Sequence, residues 1–433
     1  MDGFIKVAAA VLTLTMLSAC AVIPFQKEAE VKEQEDDEVY EVKMRDDYTD
    51  LAKKMFYDLT FMCKQLEGRQ YGLYDCISKK EFYALQQAAA DKLNDLSEVD
   101  YYFELRRIIA SIGVAHTTLN LNYTGTFPFQ MLPYSLHYYH DGWILNGIDG
   151  EYADYLGAEI VALNGVEMAD VKAKAKELIS YENESWLNEQ MPSLLVNADA
   201  LVNMGILEDN KALTLTVKKD DEISEITLHS ETGPLLVGRL ETVQLPKTAT
   251  YRQPKFYTGF MLADQTYYVQ YNSCEEISNY SMSQFASDVE KTMNEQHCKK
   301  LILDLRYNTG GNSLVIEPLL MMINRYCQDN DLKLITLIAE QTYSSGIMNA
   351  VQLKYNYDSV LIGTPTGGNV NGYGETDQFY LNYFPYFVIY CQEYFEMVPG
   401  YELDSLYPDI DVEVNYKDLM QGIDRCVEIA LQE

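Results

Sequence analysis

The residues best placed to do chemistry lie in three short segments between positions 301 and 368. Leu301-Ile302-Leu303-Asp304-Leu305-Arg306-Tyr307-Asn308-Thr309-Gly310-Gly311 reads as a buried strand running into a turn. The glycines of that turn let backbone N–H groups face outward. Thr342-Tyr343-Ser344-Ser345-Gly346 follows, at the head of a helical run predicted over 345–355. Val360-Leu361-Ile362-Gly363-Thr364-Pro365-Thr366-Gly367-Gly368 is a second strand closed by a glycine turn. A serine at a strand-to-helix junction beside a glycine-rich turn is what a serine hydrolase requires. The turn exposes the hydroxyl, and the helix N-terminus with its free N–H groups stabilises an oxyanion. The same serines also suit a helix N-cap, and the two roles are compatible because both place a serine at a helix start.

Taken in order, the three segments resemble the S41 peptidases, the tail-specific, C-terminal-processing and tricorn-type serine proteases. Their pattern is a strand D-L-R-x-N-x-G-G, a serine in a small-residue loop, and G-x-x-T-x-G. The resemblance covers most of the chain after about residue 46, is strongest over 301–368 and weakest over 151–230. Its ungapped register from the serine to Gly363 implies Ser344, rather than Ser345, as nucleophile. A serine hydroxyl needs a base. Tail-specific members use a lysine after the T-x-G turn, but that position is Asn369, which cannot accept a proton at useful pH. Tricorn-type members use a histidine at the end of the N-terminal region. Gly113-Val114-Ala115-His116-Thr117-Thr118 matches at His-Thr and lacks the preceding D-G pair. Of the five histidines, His116, His137, His140, His229 and His297, His116 alone sits in that pattern, and imidazole is the side chain suited to a base near neutral pH. The family places an acid before a P-D motif, which implies Glu402, six residues before Pro408, as the group orienting the imidazole; Asp404 is the neighbouring competitor. The implied oxyanion hole combines the N–H of Ser345 with that of Gly310 or Gly311. Asp304 and Arg306 read as a structural pair, Lys354 as a solvent-facing residue, and Asp409 as shaping a turn.

These residues need elements to position them. Leu51, Met55, Leu59 and Cys63, then Phe82, Leu85 and Ala89, then Tyr101, Leu105, Ile108 and Ile109 recur at helical spacing. A helical region over 47–125 therefore runs into a strand, with His116 at the junction. Residues 126–232 resemble a PDZ-like domain with an Asn164-Gly165 turn, a helix through 170–178 and a final hairpin. It departs from that pattern by a helical insertion over 180–209. Residues 233–260, with Pro234, Pro246 and Pro254, form a connector. Strands and helices alternate over 261–433, which predicts a largely parallel sheet. The fold class expected is α/β, or α+β multi-domain. It comprises an N-terminal helical bundle, the PDZ-like domain with its insertion, and, by the family resemblance, a C-terminal ClpP/crotonase-like α/β catalytic domain.

The 433 residues hold 66 acids against 33 bases, a net charge of −33. That excludes a nucleic-acid partner, which needs a basic footprint, and predicts repulsion from anionic membranes. Attachment to a membrane would need a covalent anchor. Residues 1–20 read as a secretory signal ending in Leu17-Ser18-Ala19-Cys20, which resembles the bacterial lipobox, with Cys20 as the lipidated residue. Residues 21–46 read as an acidic tether. Localisation is thus expected at the bacterial cell envelope, on the outer face of the cytoplasmic membrane. The remaining cysteines, Cys63, Cys76, Cys274, Cys298, Cys327, Cys391 and Cys426, are odd in number and lack C-x-x-C spacing. They suggest buried thiols and no zinc site. No phosphate-loop, H-E-x-x-H or dinucleotide fingerprint is present, so neither metal nor cofactor is expected. The function implied is a lipid-anchored serine peptidase working through Ser344, His116 and Glu402 and an acyl-enzyme, with peptides or proteins as substrates. The rival is a non-catalytic peptide-binding or scaffolding lipoprotein on the same fold. A carbohydrate-active protein with paired carboxylates has only the abundance of Asp and Glu behind it.

Overall fold

The computed structural model describes residues 25–26, 40–122, 128–234 and 239–433. The expected signal segment and Cys20 lie outside the described residues. Within the expected tether, residues 40–46 are docked on the helices: Val42 packs on the core, and Arg45 donates to the Asp91 carbonyl at 2.9 Å. No helix among the described residues is long and apolar enough to cross a membrane.

The C-terminal part is built on a six-stranded sheet in the order Tyr257–Ala263, Thr266–Tyr271, Lys300–Asp304, Lys333–Ile338, Val360–Gly363, Ile410–Asp411. The first pair is antiparallel and the rest are parallel. The sheet thus begins inside the expected connector. Strand Lys300–Asp304 is apolar at consecutive positions because both of its faces are covered. Leu301 and Leu303 pack with the helices Met282–Glu295, Glu317–Asp329 and Ser345–Tyr357. Ile302 packs on the opposite face with Val427 and Ala430 of the last helix, Arg425–Gln432. The chain ends in two helices, Tyr416–Met420 and Arg425–Gln432, separated at Gly422, whose φ of +77° is a helix-ending conformation. The helix Glu317–Asp329 is preceded by a 3₁₀ turn, Ser313–Ile316.

The middle module is an antiparallel sheet in which Tyr134–Tyr139, Gly142–Ile148, Glu159–Leu163, Ala212–Lys219 and Glu222–His229 pair in succession, except that Gly142–Ile148 also takes the short strand Glu241–Thr242. Its turns follow their sequences. Asn164-Gly165 has φ of +49° and +76°, and Asp220-Asp221 has +50° and +64°, the left-handed pair that a two-residue hairpin demands. The insertion folds as helices Glu184–Leu195 and Ala198–Asn203. It docks on the edge of the sheet: Leu132 N–H donates to the Val196 carbonyl at 2.8 Å and Tyr134 O–H to that of Leu195 at 2.8 Å.

The N-terminal helices Asp50–Arg69, Lys79–Lys92 and Glu98–Ala110 bury the expected apolar positions except Leu51 and Leu85, which are exposed, and Ser78 and Ser97 cap the latter two helices with reciprocal capping boxes. They are not a separate bundle. Strand Thr118–Leu121 pairs with Tyr386–Glu396, which pairs in turn with Gly372–Tyr380. Fully buried Asp58 accepts the N–H groups of Asn382, Tyr383 and Phe384 at 2.9, 2.9 and 3.0 Å. The first helix is thereby bolted to the turn of the C-terminal hairpin. All seven described cysteines are free, and Cys76 and Cys327 are exposed where buried thiols were expected.

Arg306 is the charged centre of the part built on the parallel sheet. It reaches Asp304 at 2.7 Å and Asp424 at 2.9 Å, with all three side chains buried. Removing one member of a buried ion group leaves the others uncompensated, at about 3–5 kcal/mol. Arg306→Ala should lower the unfolding free energy by that order in urea titration; an unchanged midpoint would show that the triad contributes nothing.

Candidate active site

Ser344 begins the helix Ser345–Tyr357 with φ +52° and ψ −126°. This is a sparsely populated conformation for a residue with a side chain, of the kind held at sharp nucleophile turns. Its surroundings explain how it is held. Buried Asn308 donates to the Tyr271 carbonyl at 3.0 Å and accepts from Gly310 N–H at 2.9 Å, and its own carbonyl accepts Tyr343 N–H at 2.9 Å. Thr342 Oγ1 donates to the Leu305 carbonyl at 2.9 Å. Gly310 is glycine by necessity: a Cβ there would lie 2.8 Å from the Cβ of Ser344. The strand 300–304 and its turn thus form the template against which the serine turn is cast.

His116 arrives from the other end of the chain. Its Nε2 lies 3.0 Å from Ser344 Oγ. The neighbouring Thr117 donates to Gln70 Oε1 at 2.8 Å, and the same oxygen accepts Cys391 N–H at 2.9 Å. The other ring nitrogen, Nδ1, is 2.8 Å from the hydroxyl of Tyr343, whose ring stacks on the imidazole at 4.6 Å. Trp186 stacks on the far face of Tyr343 at 3.8 Å. Burial lowers the His116 pKa from 6.5 to about 4, so the ring is neutral at pH 7 and free to take a proton. Burial, followed by the charge of Glu182, raises the Tyr343 phenol well above its ordinary value. Tyr343 is therefore a neutral partner whose oxygen can accept Nδ1–H, leaving the Nε2 lone pair to Ser344.

The expected Glu402 contact is not formed. Glu402 is exposed in the bend before Pro408 and is not bonded to His116, whose two nitrogens are taken by Ser344 and Tyr343. Asp404 is also exposed and accepts from Tyr407 O–H at 2.9 Å. The bend is fixed in another role: Asn183 Nδ2 donates to the Asp404 carbonyl and to Ser405 Oγ, each at 2.8 Å. Of the oxyanion candidates, Gly310 N–H is spent on Asn308. Among the described residues the N–H groups of Gly311 and Ser345 have no acceptor, and Ser345 Oγ ties the two segments together through the Gly311 carbonyl at 2.7 Å. Lys354 does not point freely to solvent; it pairs with Asp409 at 2.5 Å.

The insertion supplies what motif reading missed. Glu182 accepts the N–H groups of Ala115 at 3.2 Å and Asn369 at 3.3 Å, joining the histidine segment to the turn after Gly368. Burial raises its pKa against those two bonds. Asn183 and Trp186 come from the same segment. No spacing announces them, because they act through contacts distant in sequence. Ser344 and His116 open into a cleft of about 610 Å³ that Glu182, Gly311 and Asn369 also line. A larger cavity, about 1060 Å³, lies between the middle module, the connector and the catalytic sheet, and neither Ser344 nor His116 lines it. Among the described residues no group of three or more His, Cys, Asp or Glu is placed to hold a metal.

Residues 265–323 match the model of peptidase family S41. That segment contains the strand Lys300–Asp304 and the glycine turn that shape the Ser344 site. In three dimensions the chain is similar to mature CPAF complexed with lactacystin, at 13% identity and a TM-score of 0.65, over 88% of this chain and 97% of that one. It is likewise similar to mature CPAF, at 14% identity and a TM-score of 0.64, over 88% and 96%. No curated protein matches the sequence. At such identities the likeness establishes a shared fold spanning helical, middle and catalytic parts.

Two outcomes follow from the geometry. Tyr343→Phe keeps the stacked ring and loses one hydrogen bond worth about 1 kcal/mol; turnover should fall roughly fivefold to tenfold with KM little changed, by initial-rate kinetics. The second concerns acid. His116 and His137 both fall to about 4 on burial, against 6.5 when unfolded. Below pH 6.5 the unfolded chain takes up protons on these two residues that the folded one refuses. Glu340, raised to about 7 by burial, acts with the opposite sign, so the histidine contribution is read as a difference: the wild type should lose stability relative to His116→Gln as pH falls from 6.5 towards 4, with a constant difference above 6.5. Denaturant titration of both proteins at stepped pH checks this, and a difference that does not change through that window would contradict it.

Proposed function

We propose that this chain is a serine peptidase that cleaves peptide bonds through an acyl-enzyme. The observation that carries the reading is the 3.0 Å approach of His116 Nε2 to Ser344 Oγ. The match of residues 265–323 to peptidase family S41 supports it. Ser344 Oγ attacks the substrate carbonyl carbon while its proton passes to Nε2. The oxyanion is received by the N–H groups of Gly311 and Ser345, beside the positive end of the helix Ser345–Tyr357. His116 then returns the proton to the leaving amine as the C–N bond breaks. Water, deprotonated by the same nitrogen, attacks the acyl-enzyme, and Ser344 regains its proton as the carboxylic acid leaves. Tyr343 takes the orienting role that Glu402 was expected to fill. Because it is neutral, the imidazolium formed in these steps has no carboxylate bonded to Nδ1.

The proposed setting is the bacterial cell envelope. Leu17-Ser18-Ala19-Cys20 would supply the lipid attachment. The substrates would be peptides or proteins, with neither metal nor cofactor required. Capture of a substrate tail by strand addition to the middle module is not part of the proposal.

Fluorophosphonate labelling with peptide mapping tests the reading. The adduct should sit on Ser344 and vanish in His116→Ala, and Ser344→Ala should cut peptide hydrolysis by about 10⁴-fold or more. A folded protein that takes no adduct would transfer the assignment to the peptide-binding scaffold, which the lack of a carboxylate on His116 favours.

A further inference from the structure

The cleft at Ser344 carries a charge pattern that the catalytic pair does not use. Besides His116 and its tyrosines, its ionisable lining consists of Glu182, Glu317 and Glu375, with no Lys or Arg. The three acids differ. Glu182 is occupied by two backbone N–H groups. Glu375 is exposed at the rim. Glu317, the first residue of the helix Glu317–Asp329, is half-buried and receives Gln352 Nε2–H at 3.0 Å. Among the described residues no Lys or Arg pairs with it. The cleft also holds the Asn369 Oδ1 atom, buried and without a hydrogen-bond partner. Beside the two oxyanion donors, the N–H groups of Gly311 and Ser345, the cleft thus offers Asn369 Oδ1 and the remaining lone pairs of the Glu317 carboxylate as acceptors for a cationic ligand.

Geometry connects Glu317 to the nucleophile. Ser345, Met348, Asn349 and Gln352 all line the cleft, and their spacing puts them on one face of the helix that Ser344 begins. The run from Ser345, an oxyanion donor, to Gln352 spans roughly 10 Å at the helical rise. On the other side the cleft is bounded by Asn312 and Leu314, the latter 67% exposed. This face leads from the Ser345 N–H to Glu317, a length that an extended lysine or arginine side chain laid along it would go far to span and a short side chain would not.

Resting on the peptidase reading above, we propose that this groove is the subsite for the residue on the carboxyl side of which the chain cuts, that it takes lysine or arginine, and that Glu317 receives the cation. Substrates would be basic segments, and the net charge of −33 would draw them in from a distance.

Two measurements separate this proposal from the reading it rests on. In the first, Ser344→Ala protein binds fluorescent peptides that differ at one position, Arg, norleucine or Glu, followed by anisotropy. The Arg peptide should bind about tenfold tighter than the norleucine peptide. Glu317→Gln in the same background should erase the difference, and Glu317→Lys should turn the preference to Glu. Equal binding of Arg and norleucine, or a preference untouched by both substitutions, overturns the proposal. In the second, the wild-type protein is given the same peptides and its products are read by mass spectrometry. Cleavage after Arg supports both proposals. Cleavage indifferent to Arg removes the subsite and leaves the peptidase. Selective binding without cleavage keeps the subsite and removes the peptidase. Thermal melts of both Glu317 variants confirm that each is folded.

Discussion

The pairing of strand Thr118–Leu121 with Tyr386–Glu396 is the contact on which the site depends. His116 and Ser344 are 228 residues apart in sequence and 3.0 Å apart in space. Nothing local to either residue brings them together. The strand does so by making the segment after the third helix an edge of the C-terminal hairpin, so that the imidazole just ahead of it is delivered to the helix start. Side chains then lock the register. Gln70 binds both Thr117 and Cys391 N–H, and Asp58 binds three N–H groups of the hairpin turn. The N-terminal helices are therefore part of the catalytic body. Loosening them would move the base and leave the nucleophile in place.

Strain and support are distributed in a matching way. Ser344 holds a positive φ that its side chain disfavours. The opposing force comes from Asn308, Thr342 and the close approach of Gly310, all drawn from the parallel sheet and the turns after it. The sheet in turn is buried on both faces and carries the Arg306 triad at its base. The rigid side of the site is thus built from local sequence around the nucleophile, and the positioned side is built from long-range contacts.

That division explains what could be read from the residues alone. Strand 300–304, its glycine turn, the serine turn and the βα order are local patterns, and the parallel sheet follows them closely. His116 was legible only through the His-Thr match of a family resemblance, because its position is set by pairing that no periodicity reveals. The insertion over 180–209 was visible as a departure from the PDZ-like pattern, but not as the source of Glu182, Asn183 and Trp186. Each of these acts on a partner far along the chain: Ala115 and Asn369, Thr366 and Ser405, and Tyr343. Glu402 was placed by counting back from Pro408. The count is right in sequence, but with Ser405 and Leu406 buried and Asn183 bonded to the bend, the acid is left in solvent.

Replacing a carboxylate by Tyr343 at Nδ1 changes the energetics of the base. A carboxylate would stabilise the imidazolium and raise its pKa; a neutral phenol in a buried setting does not, and the pKa of about 4 follows from burial. Such a base is fully available at neutral pH and weak in proton affinity, so the transition state draws less help from the histidine and relatively more from the oxyanion donors. Those donors are backbone N–H groups on two rigid turns and need no reorganisation as charge develops. A cation on Glu317 would add a second fixed attraction in the same cleft, one that acts on the bound substrate before any proton moves. The site thus leans on preorganised binding and oxyanion stabilisation where a charged triad would lean on its base.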